Sequence, residues 1–419
     1  MRAAAAGEGD GRYRMSGMRV FGRDLAAWRA ESRAALGLPA DRFIVMTGHQ
    51  AGIWHAGIAE KFVVGARLAA ERGGVLVHVV VDHDLNDAAL VAFPAIVGGK
   101  LARLALERAP RAAAGAPNAL KKPVRTMRPE RAHEVPAEIE PALAAIERAI
   151  AAERGRENLA MQMAHAANAL LAPNVRVDHT VAATALAALP FAQAMRERFT
   201  PMRDAYNAAV KGERIGPLGE RELPFWKLDR ASMSRTPLLE GDAPELVAPR
   251  ALTLTAIARL ALCDVFIHGT GGGRYDRAME RWLAAALGEE ARAALAPMMV
   301  ATATKHAPLA RFVPPFDAGA TPEALRALEQ DPFGNDGRTK DALRAAITGS
   351  RAEKRAAYVA MRRRIVEART ARAAELDAMR ARIAANRVAL EAHALATDRT
   401  WPFPFAAGTA SPPSDRHPG

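Results

Sequence analysis

Three apolar runs in this chain end in residues that can do chemistry. Phe43-Ile44-Val45-Met46 leads into Thr47-Gly48-His49-Gln50-Ala51-Gly52-Ile53-Trp54-His55, and Val75 to Val81 leads into Asp82-His83-Asp84. Val265-Phe266-Ile267 leads into His268-Gly269-Thr270-Gly271-Gly272-Gly273-Arg274. Imidazoles move protons or stabilise charge near neutral pH. Paired carboxylates hold Mg²⁺, orient a hydroxyl or amine, or act as a base. Glycines between a strand and a helix let backbone N–H groups approach a phosphate or carboxylate closely.

Each stretch has a second reading. The glycine loop is an anion cradle, with Arg274 adding a charged contact, or a tight turn that needs positive φ. Asp82 and Asp84 are placed on one side by strand alternation, as site carboxylates with possible Mg²⁺ contacts or as an Asp-rich helix cap. His49, His55, His83 and His268 together with the aspartates compose a metal site, although no pair has the i, i+4 spacing of a zinc helix. Neither a Walker lysine nor a G-x-G-x-x-G in the first βα turn is present. Cys263, the only cysteine, reads as a buried, inert thiol, which fits a reducing cytoplasm.

Elements that would position these residues follow from periodicity. A helix from near Gly57, with Ile58, Phe62, Ala66 and Ala69 on one stripe, follows the first strand. The β-branched run from Val75 is continuous rather than alternating, as a central parallel strand covered on both faces requires. The expected fold is therefore α/β, a Rossmann-like parallel sheet with helices on both faces. Asp24 to Leu36 reads as a helix, Asn174 to Asp178 as a strand, and Met298 to Thr304 as another. Leu223 to Leu228 reads as an edge strand because of Pro224. Residues 93–141 read as a flexible insertion. From Arg351 to about Leu395 no glycine or proline occurs, which predicts a C-terminal coiled-coil arm. The expected organisation is a disordered 1–23, a core over 24–345, the arm over 346–397 and a disordered 398–419.

The formal net charge is +12, but Arg351 to Arg387 holds eleven Lys/Arg against four Asp/Glu. More than half of the excess thus belongs to one solvated helical segment away from the catalytic candidates, so nucleic acid is not the expected partner. No apolar run reaches the length of a membrane span.

Thr47-Gly48 with His55-Ala56-Gly57 resembles the nucleotide-binding loop of class I aminoacyl-tRNA synthetases, with Ile58 where their last histidine stands. Ser232-Met233-Ser234-Arg235 echoes their second signature. Taken in order, Thr47 to Gly52, the strand ending in Asp82-His83-Asp84, Val175 to Asp178, Tyr206-Asn207, Leu223-Pro224-Phe225 and Pro249 to Gly273 resemble the cysteine-adding enzymes of bacillithiol biosynthesis. His49 stands where that family has Gln, Val81 where it has Glu, and the glycine loop differs. The resemblance implies a ligase that forms a carbon–nitrogen bond between an amino acid, L-cysteine in the family, and an amino-sugar conjugate. The chemistry of the residues themselves gives the catalytic roles to His49, His55, Asp82, His83 and Asp84. Ligand and phosphate contacts fall to Thr47, Gly48, Gln50, Gly52, His268, Gly269, Gly271, Gly272, Gly273 and Arg274. An adenine nucleotide (ATP or ADP), Mg²⁺, a small-molecule substrate and a homodimer through the C-terminal helices complete the expectation. Two other classes stay open: a metal-assisted hydrolase using the His/Asp cluster, and a non-catalytic scaffold whose basic arm binds a polyanion.

Overall fold

A computed structural model describes residues 17–106, 115–124, 133–172, 174–315, 317–334 and 337–406. The chain divides into two compact units, one of 1–95, 103–307 and 399–419, the other of 96–102 and 308–398.

The first unit opens with a two-stranded pairing, β1 (Arg19–Val20) and β2 (Arg23–Asp24), inside the segment expected to be disordered. Asp24 then caps α1 (Leu25–Ala35) by accepting from the Ala26 and Ala27 amides. After Gly37 the chain enters β3 (Ile44–Gln50), α2 (Ala56–Glu71) and β4 (Val75–Val81), the strand–helix–strand its periodicity predicts. Within the expected insertion, β5 (Val91–Val97) and β6 (Lys100–Leu106) form a hairpin that turns at Gly98-Gly99, both at positive φ. Residues 107–114 and 125–132 of that stretch lie outside the described residues.

Two helices, α3 (Glu140–Ala152) and α4 (Leu159–Leu171), lead to β7 (His179–Ala182). That strand lies just after the predicted one, because Asp178 is spent accepting from the Leu76 amide (2.9 Å). Short helices α5 (Ala183–Ala187), α6 (Pro190–Glu197) and α7 (Arg203–Val210) follow. Then come β8 (Glu222–Asp229), β9 (Ser234–Leu239) and β10 (Leu246–Pro249), an antiparallel sheet in the order β10-β8-β9. Here β8 is central, not an edge. The register between β8 and β9 breaks between Glu222 and Trp226, and Pro224 sits in that irregularity, where its missing N–H leaves no ladder bond unmade.

Helix α8 (Ala251–Ala261), strand β11 (Val265–His268), helices α9 (Gly272–Leu287) and α10 (Glu289–Ala293), and strand β12 (Met298–Val300) complete the core. The main sheet runs β12-β11-β3-β4-β7, every neighbour parallel. Counted along the chain this is the 3-2-1-4-5 order of Rossmann-like sheets, with direction reversing between β3 and β11. Strand alternation divides the core in two. Val45, Leu76 and Ile267 pack with Phe62 of α2 and Ala167 and Leu171 of α4. Met46, Val77, Val79 and Phe266 pack with α1, α5, α8 and α9 on the other face. The segment 399–406, expected to be disordered, instead buries Trp401, Phe403 and Phe405, and the Phe403 amide donates to the Trp54 carbonyl (2.6 Å).

The second unit contains α11 (Pro322–Gln330), α12 (Arg338–Ala345), α13 (Arg351–Ala371) and α14 (Ala373–Ala396). Its C-terminal part runs from 308, earlier than the expected boundary at 346, and it also includes 96–102. A capping box between Ser350 and Glu353 starts α13, and only Arg372 separates α13 from α14. Helix α12 packs on α13 and α11 on α14. Among the described residues no helix is long and apolar enough to cross a membrane.

Candidate functional site

Strand order fixes where a site belongs. Ligands of open parallel sheets lie at the strands' carboxyl ends where direction reverses, and here that is the crevice between Gly48-His49 of β3 and His268-Gly269 of β11. Thr47 staples the two strands, its buried hydroxyl donating to the Ile267 carbonyl (2.8 Å). It is thus a frame residue rather than an open ligand contact. Gly48 is required by space, since a Cβ there would stand 2.8 Å from the Val79 carbonyl oxygen.

Across the crevice, none of Gly269, Gly271, Gly272 and Gly273 adopts positive φ, so their conformation does not demand glycine. Closeness does. A Cβ on Gly272 would lie 2.5 Å from His268 Nδ1, and one on Gly273 would lie 2.8 Å from a Val300 methyl. The Gly273 and Arg274 amides turn inward to the Gly269 and Gly271 carbonyls (3.2 and 3.3 Å). The Thr270, Gly271 and Gly272 amides donate to no acceptor among the described residues, leaving them open at the start of the sixteen-residue α9. Arg274 does not join this cradle; it pairs with Glu213 (3.0 Å), as does Arg281 (3.1 Å). His268 Nε2 lies 3.4 Å from Asp276 Oδ2 without hydrogen-bond alignment, and Asp276 is held by Arg259 (2.5 Å).

A residue that the sequence reading does not single out stands between the two loops. Lys61, on α2, is 2% exposed, and its Nζ donates to the Gly48 carbonyl (2.6 Å). Its Cδ is 3.9 Å from where a Cβ on Gly269 would be. Among the described residues no carboxylate pairs with it, and burial pushes its ammonium down to about 7. His49 and His78 flank this lysine, each lowered to about 3 by burial and then by the Lys61 charge. Both are neutral imidazoles at physiological pH. His49 also lies edge-on to Trp54, at 6.0 Å between ring centroids.

The remaining expected residues divide by role. His55 is the N-cap of α2, its Nδ1 accepting from the Gly57 amide (3.1 Å). Gly52 takes a positive φ of 148° that other residues rarely adopt. Strand β4 ends at Val81, so the alternation expected for Asp82 and Asp84 does not apply, and their carboxylates go different ways. Asp82, 1% exposed, accepts from the Thr184 amide (3.1 Å) and hydroxyl (2.5 Å), capping α5 from across the sheet. His83 is buried against it at 3.8 Å. Asp84 accepts from Gln50 Nε2 (2.5 Å) and pairs with Arg235 of β9 (3.5 Å), which also donates to the His83 carbonyl (2.9 Å). Trp226 of β8 carries Arg235 and Arg250 against its ring at 4.7 and 4.1 Å, a cation–π support that holds Arg235 at the site.

Asp82→Ala removes two charge-assisted bonds and leaves a part-buried amide and hydroxyl of Thr184 unpaired, so it is expected to lower stability by about 2 kcal/mol in urea unfolding. A loss under about 1 kcal/mol would mean that Asp82 does not hold α5.

Two groups form. Gly48, His49, Lys61, His268 and the open amides of α9 surround the switch point, while Gln50, Asp84, Arg235 and Trp226 form a neighbouring polar pair of strand ends. Among the described residues no three His, Cys, Asp or Glu side chains come together to hold a metal ion. Cys263 is fully buried, its thiol pushed up to about 12 by desolvation. No protein-family model matches the chain, and no curated protein sequence matches it.

Proposed function

We propose that this chain is a ligase-like enzyme that binds a nucleotide-type phosphate between β3 and β11 and forms a carbon–nitrogen bond. The substrates proposed are those of the cysteine-adding enzymes that its sequence resembles, an amino acid such as L-cysteine and an amino-sugar conjugate. One observation carries this reading: a buried lysine and three amides, none with a carboxylate or carbonyl partner that answers its charge or donor among the described residues apart from the Gly48 carbonyl on Lys61, stand where the strand order reverses. Positive potential without a counter-charge at that place suits an anion.

In this reading the Gly271 and Gly272 amides and Lys61 hold phosphate oxygens. His49, held neutral by burial and then by the Lys61 charge, accepts a hydrogen bond from the amine whose nitrogen attacks an activated carboxyl carbon, and the proton shed passes to solvent. Asp84, fixed by Arg235 and Gln50, orients that amine. A bound nucleotide would supply the leaving group that makes the attack downhill. Mg²⁺ fits less well, since Asp82 is filled by Thr184 and Asp84 by Gln50 and Arg235. The proposal extends to a cytoplasmic setting, supported by the single buried thiol. It also extends to a homodimer through the C-terminal helices, supported by Tyr358, Val359 and Val366 standing exposed on α13.

The test is thermal stability with ADP. Saturation at a hundred times Kd adds about 2.7 kcal/mol, so a clear upward shift in Tm is expected. Gly272→Asp places a carboxylate in the cradle and crowds His268, and the shift should vanish in that variant. Absence of a shift in the unaltered protein with ADP and ATP would overturn the reading.

A further inference from the structure

Lys61 is an unusual group for the interior of a helix packed on a sheet. Lysines are rarely fully buried unless paired, yet this one has a single hydrogen bond, to the Gly48 carbonyl. An ammonium has three donors, so two are left without a protein acceptor. The charged groups of the surrounding elements do not compensate it. His49 of β3 and His78 of β4 feel its charge and are themselves held neutral. His268 stands at the end of β11, and on α2 the neighbouring ionisable groups are His55, occupied as the cap, and Glu60. Lys61 Cδ comes within 3.9 Å of where a Cβ on Gly269 would be, and just past Gly269 the Thr270, Gly271 and Gly272 amides, at and before the start of α9, donate to no acceptor among the described residues.

We propose that Lys61 and the open start of α9 bind the terminal phosphate dianion of the substrate nucleotide, and that Lys61 takes up one proton as the dianion enters. The inference rests on the nucleotide-binding reading above and adds the residue, the ionic form and the proton. Without ligand, the site favours the neutral amine because nothing nearby repays desolvation of the ammonium. A dianion against it supplies the missing counter-charge, and the amine is then protonated from solvent. The α9 amides contribute donors that do not titrate. Binding is therefore coupled to proton uptake and weakens as the solution becomes alkaline, by about tenfold per pH unit where Lys61 is neutral when free and protonated when bound.

The experiment is titration calorimetry at pH 8.5 in buffers of different ionisation enthalpy, with ADP and with inorganic phosphate as separate probes. At that pH both probes are already dianions, since the second ionisation lies near pH 6 for a phosphate ester and roughly one unit higher for inorganic phosphate, so a proton taken up is taken up by the protein, and Lys61→Met assigns it. About one proton is expected per bound ligand, falling to none in Lys61→Met, together with weaker binding. Whichever probe shows this identifies the source of the phosphate. Binding without proton uptake, or uptake that persists in Lys61→Met, overturns the inference while the nucleotide-binding reading stands. Failure of both probes to bind overturns both. A proton count of zero in the unaltered protein overturns the inference even if the variant does not fold.

Discussion

Lys61→Met is expected to make the protein more stable, by about 3 kcal/mol at pH 6, and to abolish any ligand-linked proton uptake. At pH 6 the lysine is protonated in both states, and the folded state bears the full penalty of holding an ammonium in a dry place. The fall from 10.5 to about 7 sets that penalty. Three and a half pH units correspond to about 5 kcal/mol, from which about 1 kcal/mol is subtracted for the donor lost to the Gly48 carbonyl and more for imperfect packing of the thioether. Between pH 7 and 10.5 the unfolded chain binds more protons at this position than the folded one, so wild-type stability rises with pH across that window and declines as pH falls toward 7. Cys263 opposes this above pH 9, because its thiol ionises near 9 when unfolded but is pushed up to about 12 when folded. The clean interval is therefore pH 7 to 9, where urea unfolding should show a rise of about 2 kcal/mol from Lys61. That rise should be missing from the Met variant. A variant that is less stable than wild type at pH 6, with the same slope, would show that Lys61 is neither desolvated nor charged as described. A stable but non-binding variant would be the signature of a functional group kept at a cost to the fold.

Why this lysine escaped the sequence reading follows from what covers α2. The stripe of Ile58, Phe62, Ala66 and Ala69 correctly marks the face against the sheet, and by that pattern Lys61 belongs to a solvated flank. Two features bury that flank: the tight β3 and β11 loops, and the 399–406 segment, whose Phe403 joins the cluster around Trp54 and Phe62. Pro and aromatic residues near a chain end look like a tail until their partners are known. By contrast, the run from Val75 to Val81 was readable residue by residue, because a strand buried on both faces has one pattern and no competing one. The glycine loop was located correctly but partly for the wrong reason. Its glycines answer to the His268 ring in the same loop and to the Val300 side chain, a neighbour distant in sequence, and not to positive φ. Arg235 had a signal, the Ser232 to Arg235 echo of a synthetase signature. Its pairing with Asp84 and its stack on Trp226 depend on where a second sheet lies, which local sequence does not encode. Arg274 shows the opposite case. Proximity in sequence suggested an anion contact, and Glu213, on the loop after α7, takes its charge instead.

Acid should destabilise this protein well above the carboxylate range, and His78→Gln should remove much of that sensitivity. His78 is fully buried in β4, with the Trp54 and Phe62 rings edge-on at 5.3 and 4.9 Å. Asn168 settles its tautomer: the Asn168 amide nitrogen donates to the Thr180 hydroxyl (3.0 Å), so its oxygen faces His78 Nδ1 (3.1 Å), which must carry the proton. Nε2 is then a bare acceptor with no partner among the described residues. Protonating it would place a second N–H and a full charge among aromatic rings, close enough to Lys61 for repulsion. These causes, burial first, lower the ring to about 3. Unfolded, it titrates near 6.5, so the stability it contributes is present above 6.5 and is lost as pH falls toward 3. By pH 4.5 the loss from His78 alone is about 3 kcal/mol. His49 adds to it in the same direction, but less, since its ring is partly open to solvent. Glutamine keeps a donor for Asn168 and has no proton to gain, while forfeiting the ring contacts, about 1 kcal/mol. The expected result of urea unfolding is a crossing: the variant is weaker than wild type at pH 7 and stronger at pH 4.5. Parallel losses for both proteins down to pH 4.5 would place the acid sensitivity elsewhere and remove His78 from the group of imidazoles that Lys61 keeps neutral.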